Sequence, residues 1–436
     1  MIRSLFMDYN ETTSYLFSKH AKGMKLGLDN IQSFLDGINH PEQGFPSIHI
    51  AGTNGKGSTA AILESILREA GYKTGLYTSP HLMDMRERIQ ISGQWIPPEK
   101  VIHYIQYFKP DIEATNLSFF EILTAMSFLY FLENKTDIAI LETGLGGRLD
   151  ATNVVLPLFS MITKIGLDHT RILGKTLKSI TYEKGSIFKF NIPCLIGVNS
   201  NKVKTYFQEL ARERTPLIYC QKQVHIYNTR LTDQGSWFDA EAEYFSYQNL
   251  YLRLLGHHQV QNCQLVLLAV NELMKRGWMI SERSVREGLK KVQWPTRLEL
   301  LSEQPKLLLD SAHNPLGIKS LVKALKTLFD YDRLIFLFGV LQDKDYRKMI
   351  EHIIPLAQEL ILTKPQSDRA LDPENLYGLS IGRKKSVQVI PDISQAWETA
   401  VNLAGKNDLV CGTGSMFLTG ELLRLWKRKK NHIVYQ

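Results

Sequence analysis

Residues Ile48 to Leu63 read IHIAGTNGKGSTAAIL: a short apolar run, a turn with three glycines around a lysine, then an amphipathic stretch of helix length. That order constrains the chain more than any other feature, because a strand that stops at a glycine-rich turn and feeds a helix is the unit of open parallel sheets. The turn departs from the usual Walker form. Serine or threonine normally follows the lysine directly, whereas Gly57 separates Lys56 from Ser58, and Ile50 stands where the leading glycine is expected. A plain strand-to-helix connection needs one glycine at most, and this one has Gly52, Gly55 and Gly57. The loop Gly52, Thr53, Asn54, Gly55, Lys56, Gly57, Ser58 is therefore read as a nucleotide-phosphate site. Main-chain N–H groups and the positive helix end face the anion, glycines permit close approach, and Lys56 adds a point charge. Ser58 can offer its hydroxyl to phosphate or to magnesium.

Apolar runs of strand length alternate with amphipathic helical stretches on both sides of this loop. Strands are expected at SIHIAG, KTGLYTS, DIAILETG, LFSMITKI and IPCLIGV, with RIQISGQWI as a hairpin about Ser92-Gly93. Helices are expected at GSTAAILESILREAG and at the very apolar FFEILTAMSFLYFLEN. After KKVQWPTRLELL the pattern starts afresh with KLLLDSAH, RLIFLFG, ELILTK, VQVIP and DLVCGTGS, a smaller doubly wound unit of about four or five strands. The expected fold is thus α/β with two domains: residues 1–294 form a P-loop ATPase domain on a mainly parallel sheet, and residues 295–436 a smaller Rossmann-like domain. A chain of 436 residues is long for one core, which agrees.

The formal charge of +8 favours acidic partners. Lysines and arginines are scattered, however, apart from the KRKK run ending at Lys430, which reads as a solvated helix end. A small polyanionic substrate suits this charge and nucleic acid is not expected. No segment offers the ~20 apolar residues of a membrane span, and MIRSLFMDYNETTSYLF lacks a signal-peptide run, so a cytoplasmic protein without a membrane partner is expected. Cys194, Cys220, Cys263 and Cys411 lie far apart, which suggests neither a zinc site nor a disulfide framework.

In an open parallel sheet, ligands bind beyond the carboxyl ends of the strands. Several apolar runs end there in acids or imidazoles: Glu142, Asp168 with His169, and Asp310 with His313. Any one of them alone reads more readily as a turn residue. Together with a phosphate loop they read as a metal-nucleotide site, because a triphosphate needs counter-cations and groups to hold them. ETGLGGRLDATN carries more backbone freedom than a connector requires. In SFFEILTAM, Phe119 and Phe120 flank Glu121; on the residues alone, both rings read first as core and second as a platform for a flat heterocycle.

Eight motifs carry a resemblance: HIAGTNGKGST, YTSPHL, ETGLGGRLDATN, LDHTRILG, EKGSIFK, GHHQVQN, WPTRLE and DSAHNP. In this order and spacing, from about Lys25 to the end of the chain, the sequence resembles folylpolyglutamate synthase and dihydrofolate synthase of the Mur ligase superfamily. The resemblance implies an ATP-dependent amide ligase that phosphorylates a folate-type carboxylate and joins it to L-glutamate. By motif it implies magnesium held by Ser58, Ser79, Glu142 and His169, and also by Lys184 through a carbamate that turns its amine into a carboxylate-like group. It implies ATP contacts from Asn262, Arg297 and Asp310, and a role for His313 with the phosphate or the incoming amine. The pterin is expected near Gly27, Leu28, Asp29 and Asn30, near Ser118, Phe119, Phe120 and Glu121, and near Leu149, Asp150 and Ala151. Asp150-Ala151 resembles the form found in bacterial enzymes that also accept dihydropteroate, which favours a bifunctional enzyme over a monofunctional folylpolyglutamate synthase. A monomer is the family habit. Two departures stand out: Gly185-Ser186 follows Lys184 where Ala-Gly is usual, and Thr296 precedes Arg297 where glycine is usual. A peptidoglycan amino-acid ligase would carry a further amino-terminal domain, and only about 45 residues precede the first expected strand. A P-loop switch would show an ordinary G-K-[ST] and a base-reading motif such as N-K-x-D, and a silent nucleotide-binding module would have lost some of the metal and bridging residues.

Overall fold

The computed structural model describes residues 8–20, 27–212, 214–380 and 386–434. Lys25 and Leu26, where the resemblance begins, lie outside them. Eight strands make the first sheet: β1 (Ser47–Ala51), β2 (Thr74–Tyr77), β3 (Ile89–Ile91), β4 (Gln94–Trp95), β5 (Ile138–Glu142), β6 (Phe159–Ile162), β7 (Cys194–Ile196) and β8 (Leu217–Tyr219). Their order is β4-β3-β2-β5-β1-β6-β7-β8. From β2 to β8 every pairing is parallel, and β3 and β4 add an antiparallel edge. Ser92 and Gly93 both have positive φ, 48° and 78°, as a two-residue hairpin turn between β3 and β4 requires.

All five residues of β1 are buried, in keeping with a central strand covered on both faces. The chain leaves β1 for β2 on one side, whereas β6 lies on the other, so the connections diverge beyond the carboxyl end of β1. The phosphate loop occupies that divergence. The helix Lys56–Glu69 covers one face, where Ile62, Leu63 and Ile66 share a core with Val266 and Leu267 of the helix His257–Lys275 and Val285 of Glu282–Lys291. The opposite face carries Phe119–Glu133, whose buried residues surround the helix, together with Pro98–Thr115. A helix apolar on all sides belongs in such a core.

A three-stranded antiparallel sheet follows: β9 (His225–Leu231), β10 (Ser236–Ala242) and β11 (Phe245–Leu252). This sheet was not expected, because β9 is largely exposed and its sequence, HIYNTRL, presents no apolar face. Phe238, Ala240, Tyr247 and Leu250 nevertheless join the core beside His257–Lys275.

The last sheet contains β12 (Glu299–Glu303), β13 (Lys306–Asp310), β14 (Leu334–Phe338), β15 (Glu359–Leu362), β16 (Val387–Val389) and β17 (Leu409–Thr413), in the order β12-β13-β17-β14-β15-β16. It has one strand beyond the expected four or five. The addition is β12, a part-exposed antiparallel edge whose sequence ELLSE alternates poorly. Among the described residues no helix is long and apolar enough to cross a membrane. The four cysteines are buried and free.

Helix Glu282–Lys291 meets helix Lys56–Glu69 at Gly288, where a β-carbon would lie 2.6 Å from the Cα of Ile66. The Ser65 hydroxyl donates to the Gly288 carbonyl at 2.9 Å. Gly288→Ala should therefore force the two helices apart at a cost of about 1–3 kcal/mol. The expected result is a lower thermal unfolding midpoint by circular dichroism.

Candidate active site

The phosphate loop enters its helix through Gly55, at φ 92°, in the left-handed region that glycine adopts without penalty. The carboxamide of Asn262 lies directly over Gly55, so a side chain there would collide with it. A β-carbon on Gly57 would come within 2.6 Å of the Trp294 indole. Both glycines are thus required by neighbours that arrive from distant parts of the chain. Lys56 Nζ lies 3.7 Å from Glu142 Oε1, at the end of β5, and Glu142 Oε2 accepts the Ser79 N–H at 3.1 Å. Ser58 Oγ accepts from Gln259 Nε2 at 3.2 Å, and Gln259 Oε1 accepts from Asn262 Nδ2 at 3.0 Å. Gln259 was missed in the sequence because nothing marks it apart from its neighbours in GHHQVQN.

The last sheet, β12 to β17, supplies the opposite wall. Asp310 ends β13, and its carboxylate accepts the N–H groups of Ala312 at 2.9 Å and Leu298 at 3.0 Å. His313 Nδ1 donates to the Ser311 carbonyl at 3.0 Å and leaves Nε2 3.5 Å from Asp168 Oδ2. Asn54 and Asn314 exchange amide hydrogen bonds at 3.1 and 2.8 Å, and Asn314 also donates to Asp168 at 3.0 Å. Lys344, a residue not singled out by sequence, places Nζ 2.7 Å from Asp168 Oδ1 and 3.2 Å from His169 Nε2. One cleft is consequently lined by Lys56, Ser58, Ser79, Glu142, His169 and Lys184 from one side, with Asn262, and by Arg297, Asp310 and His313 from the other. Thr53, Asn54, Gly55 and Gly57 line it too, while Gly52 packs behind them against Thr163.

Electrostatics in the cleft follow from burial. Desolvation pushes the Lys184 amine down to about 7, and the Lys56 charge pushes the same way. Burial lowers His169 to about 4, so its imidazole is neutral near pH 7. Burial raises the Glu142 carboxyl, against the pull of Lys56. Burial also works to raise Asp168, but hydrogen bonding and charge from His313, with Lys344 and His169, hold it well below the ordinary carboxylate range.

Magnesium takes oxygen ligands, retains waters, and is usually held by one or two carboxylates plus substrate phosphates. Among the described residues no three His, Cys, Asp or Glu side chains gather as a cage. The oxygens of Ser58, Ser79 and Glu142 beside a phosphate loop suit a nucleotide-borne ion of this kind. His169 fits less directly, since its Nε2 accepts from Lys344 in this arrangement. Lys184 carries an amine and would become an oxygen donor only after modification.

The residues expected around a pterin lie on the other face of the first sheet. Phe119 is core: it stacks on Phe17 with centroids 5.5 Å apart and lies under the Arg88 guanidinium. Phe120 is half-buried, with its ring against Gly144 at the cleft margin, and is the better placed of the two. Ser118 and Glu121 form a capping box for the helix Phe119–Glu133, so their polar atoms satisfy that helix terminus. Asp150 accepts from Leu145 N–H and from Thr152, and Ala151 is buried beside it. Leu149 is half-buried. Gly27 and Leu28 lead into the helix Asp29–Gly37, with Leu28 packed against the same core and Asp29 and Asn30 in its first turn.

Residues 50–270 match the Mur ligase middle domain and residues 296–416 the Mur ligase glutamate ligase domain. The chain is 36% identical to the dihydrofolate synthase/folylpolyglutamate synthase of Bacillus subtilis (strain 168), over 97% of this chain and 100% of that protein. The Mycobacterium tuberculosis folylpolyglutamate synthase solved with ADP and AMPPCP superimposes with a TM-score of 0.88 at 28% identity, covering 96% of this chain and 99% of that one. Escherichia coli FolC in complex with DHPP and ADP gives 0.87 at 28% identity, covering 97% and 99%.

Because the Lys184 amine is lowered to about 7 in the folded protein and lies near 10.4 in the unfolded chain, the unfolded state binds more protons between those values, and stability rises with pH across that window. Lys184→Met, compared with wild type in CO2-free buffer, should therefore be the more stable protein. Its advantage in urea midpoint should be largest at pH 7 and shrink toward pH 10.

Proposed function

Since the chain belongs to the dihydrofolate synthase/folylpolyglutamate synthase family of Mur ligases, we propose that it is a bifunctional ATP-dependent ligase that adds L-glutamate to dihydropteroate and to reduced folates. The observation that carries this reading is the single cleft in which Lys56, Ser79 and Glu142 from the first sheet face Arg297, Asp310 and His313 from the second unit. A carboxylate is a poor electrophile. Transfer of the γ-phosphoryl group of ATP to its oxygen makes an acyl phosphate and releases ADP. The glutamate amine then attacks the acyl carbon, the C–N bond forms, the C–O bond to phosphate breaks, and the amine loses a proton.

Such chemistry requires anions to be brought together and held in line, which is work for positioned cations and amides. Lys56 and the main-chain N–H groups of the loop neutralise the nucleotide phosphates. Arg297 faces the transferred phosphoryl group from across the cleft. His313, with Nδ1 pinned on the Ser311 carbonyl, presents Nε2 toward Asp168 and the incoming amine. Magnesium held by Ser58, Ser79 and Glu142 would supply further charge neutralisation at the phosphates. We assign residues 1–294 to ATP and folate and residues 295–436 to the glutamate side. Closure of the cleft would exclude water that hydrolyses the acyl phosphate.

Lys184 is assigned a carbamate, formed when its neutral amine adds CO2 and releases a proton. Support comes from burial, which leaves much of the amine neutral near pH 7. The helix Leu177–Gly185 continues through Lys184, and Gly185 serves its packing, because a β-carbon there would lie 2.6 Å from Leu210 Cδ2. The departure from Ala-Gly thus has a local cause in the neighbouring helix Asn201–Ala211.

ADP formation should require L-glutamate together with either dihydropteroate or a reduced folate. Turnover with the folate alone would assign the monofunctional alternative, and turnover only with a UDP-linked substrate would sink the folate reading. Lys184→Ala should lose activity and regain part of it with added short-chain carboxylates, read as phosphate release. Glu142→Ala should lose at least about a hundredfold in kcat, as removal of a charge-stabilising group does.

A further inference from the structure

Thr296 has φ 57°, in the left-handed region, although it is β-branched, and its side chain is fully buried. Its polar atoms are all engaged. The N–H donates to Glu299 Oε2 at 2.7 Å, the carbonyl accepts the Ser311 N–H at 2.8 Å, and the hydroxyl meets Ser311 Oγ at 2.6 Å. Ser311 Oγ continues to Thr419 Oγ1 at 2.6 Å, in the helix Met416–Val434. The Thr419 hydroxyl lies 3.2 Å from the Ser415 carbonyl, which can only accept. That end fixes the direction of the whole chain: Thr296 donates to Ser311, Ser311 to Thr419, and Thr419 to the main chain. Hydrogen bonds aligned in this way reinforce one another.

The chain ties together groups with chemical work to do. Arg297 follows Thr296 and turns Nη1 back to the Thr296 carbonyl at 3.3 Å. The Ser311 carbonyl holds His313, and Asp310, which precedes Ser311, holds the N–H of Leu298. Residues 296–298 and 310–313 are therefore stitched at several points, with the hydroxyl pair between them. A guanidinium on a long side chain is useful to a developing phosphate charge only if its backbone is held, since misplacement by an ångström is costly.

We infer that Thr296, acting through Ser311 and Thr419, is a positioning residue for the ligase reaction: the hydroxyl chain sets Arg297 relative to Asp310 and His313. The inference rests on the ligase reading, in which Arg297 meets the transferred phosphoryl group. The Thr296 side chain is fully buried behind the cleft wall to which Ser311 contributes.

Thr296→Gly separates the two properties of the residue, because glycine accepts the backbone and removes the hydroxyl. It should fold, bind ADP with unchanged affinity in calorimetry, and lose between about ten- and a hundredfold in kcat. Ser311→Ala should do the same, and Thr296→Ser should retain wild-type kcat. In an Arg297→Ala background, Thr296→Gly should cause no further loss, because the hydroxyl then has nothing to aim. Wild-type kcat in Thr296→Gly, or a loss that adds in full to that of Arg297→Ala, would overturn the inference, as would a fall in melting temperature alone. A wild-type protein without glutamate-dependent ADP formation would instead overturn the ligase reading.

Discussion

A carboxylate carried beyond the first sheet and neutralised from the last one holds the cleft together. Asp168 lies just beyond β6, and Lys344, His313 and Asn314 all reach it from the unit built on β12 to β17. The Asp168 and Lys344 side chains are each only 6% exposed. An ion left unpaired in such surroundings costs several kcal/mol, so separating the walls requires water to replace each lost partner. The Asn54–Asn314 amide pair extends the same junction to the phosphate loop. The position of that loop is therefore set partly by residues more than two hundred places away in sequence.

Charge balance inside the cleft says more about its ligands than the overall charge does. Lys56, Lys184, Arg297 and Lys344 face Glu142, Asp168 and Asp310. Asp168 is saturated by partners, whereas Glu142 has Lys56 at 3.7 Å and one N–H donor. Lys184 has no carboxylate within ion-pair distance among the described residues, and burial rather than pairing governs its proton. A cleft with this surplus of cations is suited to polyanions, and burial brings the unpaired Lys184 amine down to about 7. The +8 carried by the chain as a whole would have suited many other ligands equally.

Strands and helices with one strong period were legible in the sequence. β1, β5 and β14 are buried along their whole length, and the ends of β1 and β5 deliver the phosphate loop and Glu142 as the rule for parallel sheets predicts. What escaped notice had a weaker pattern: β9 and β12 are part-exposed and held by pairing with neighbours, and β8 is only three residues long. The site followed the same division. Residues on strand ends stood out, while Lys344 and Gln259 sit in ordinary polar surroundings and acquire meaning only when folding brings them to Asp168 and Ser58. Phe119 follows the residue-level reading of a core ring, since it is buried and stacks on Phe17.

The extra glycine of the phosphate loop has a physical reason in this arrangement. Moving serine one residue further along a helix turns its side chain by about 100° and advances it about 1.5 Å. In that direction Ser58 meets Gln259, which is itself bound to Asn262 above Gly55. The vacated position, Gly57, is where Trp294 packs, on the segment that leads to Thr296 and Arg297. A side chain at residue 57 would press on the Trp294 indole. The Walker order Lys-Ser would therefore crowd this linker, and the shifted serine leaves room for the tryptophan three residues before Arg297.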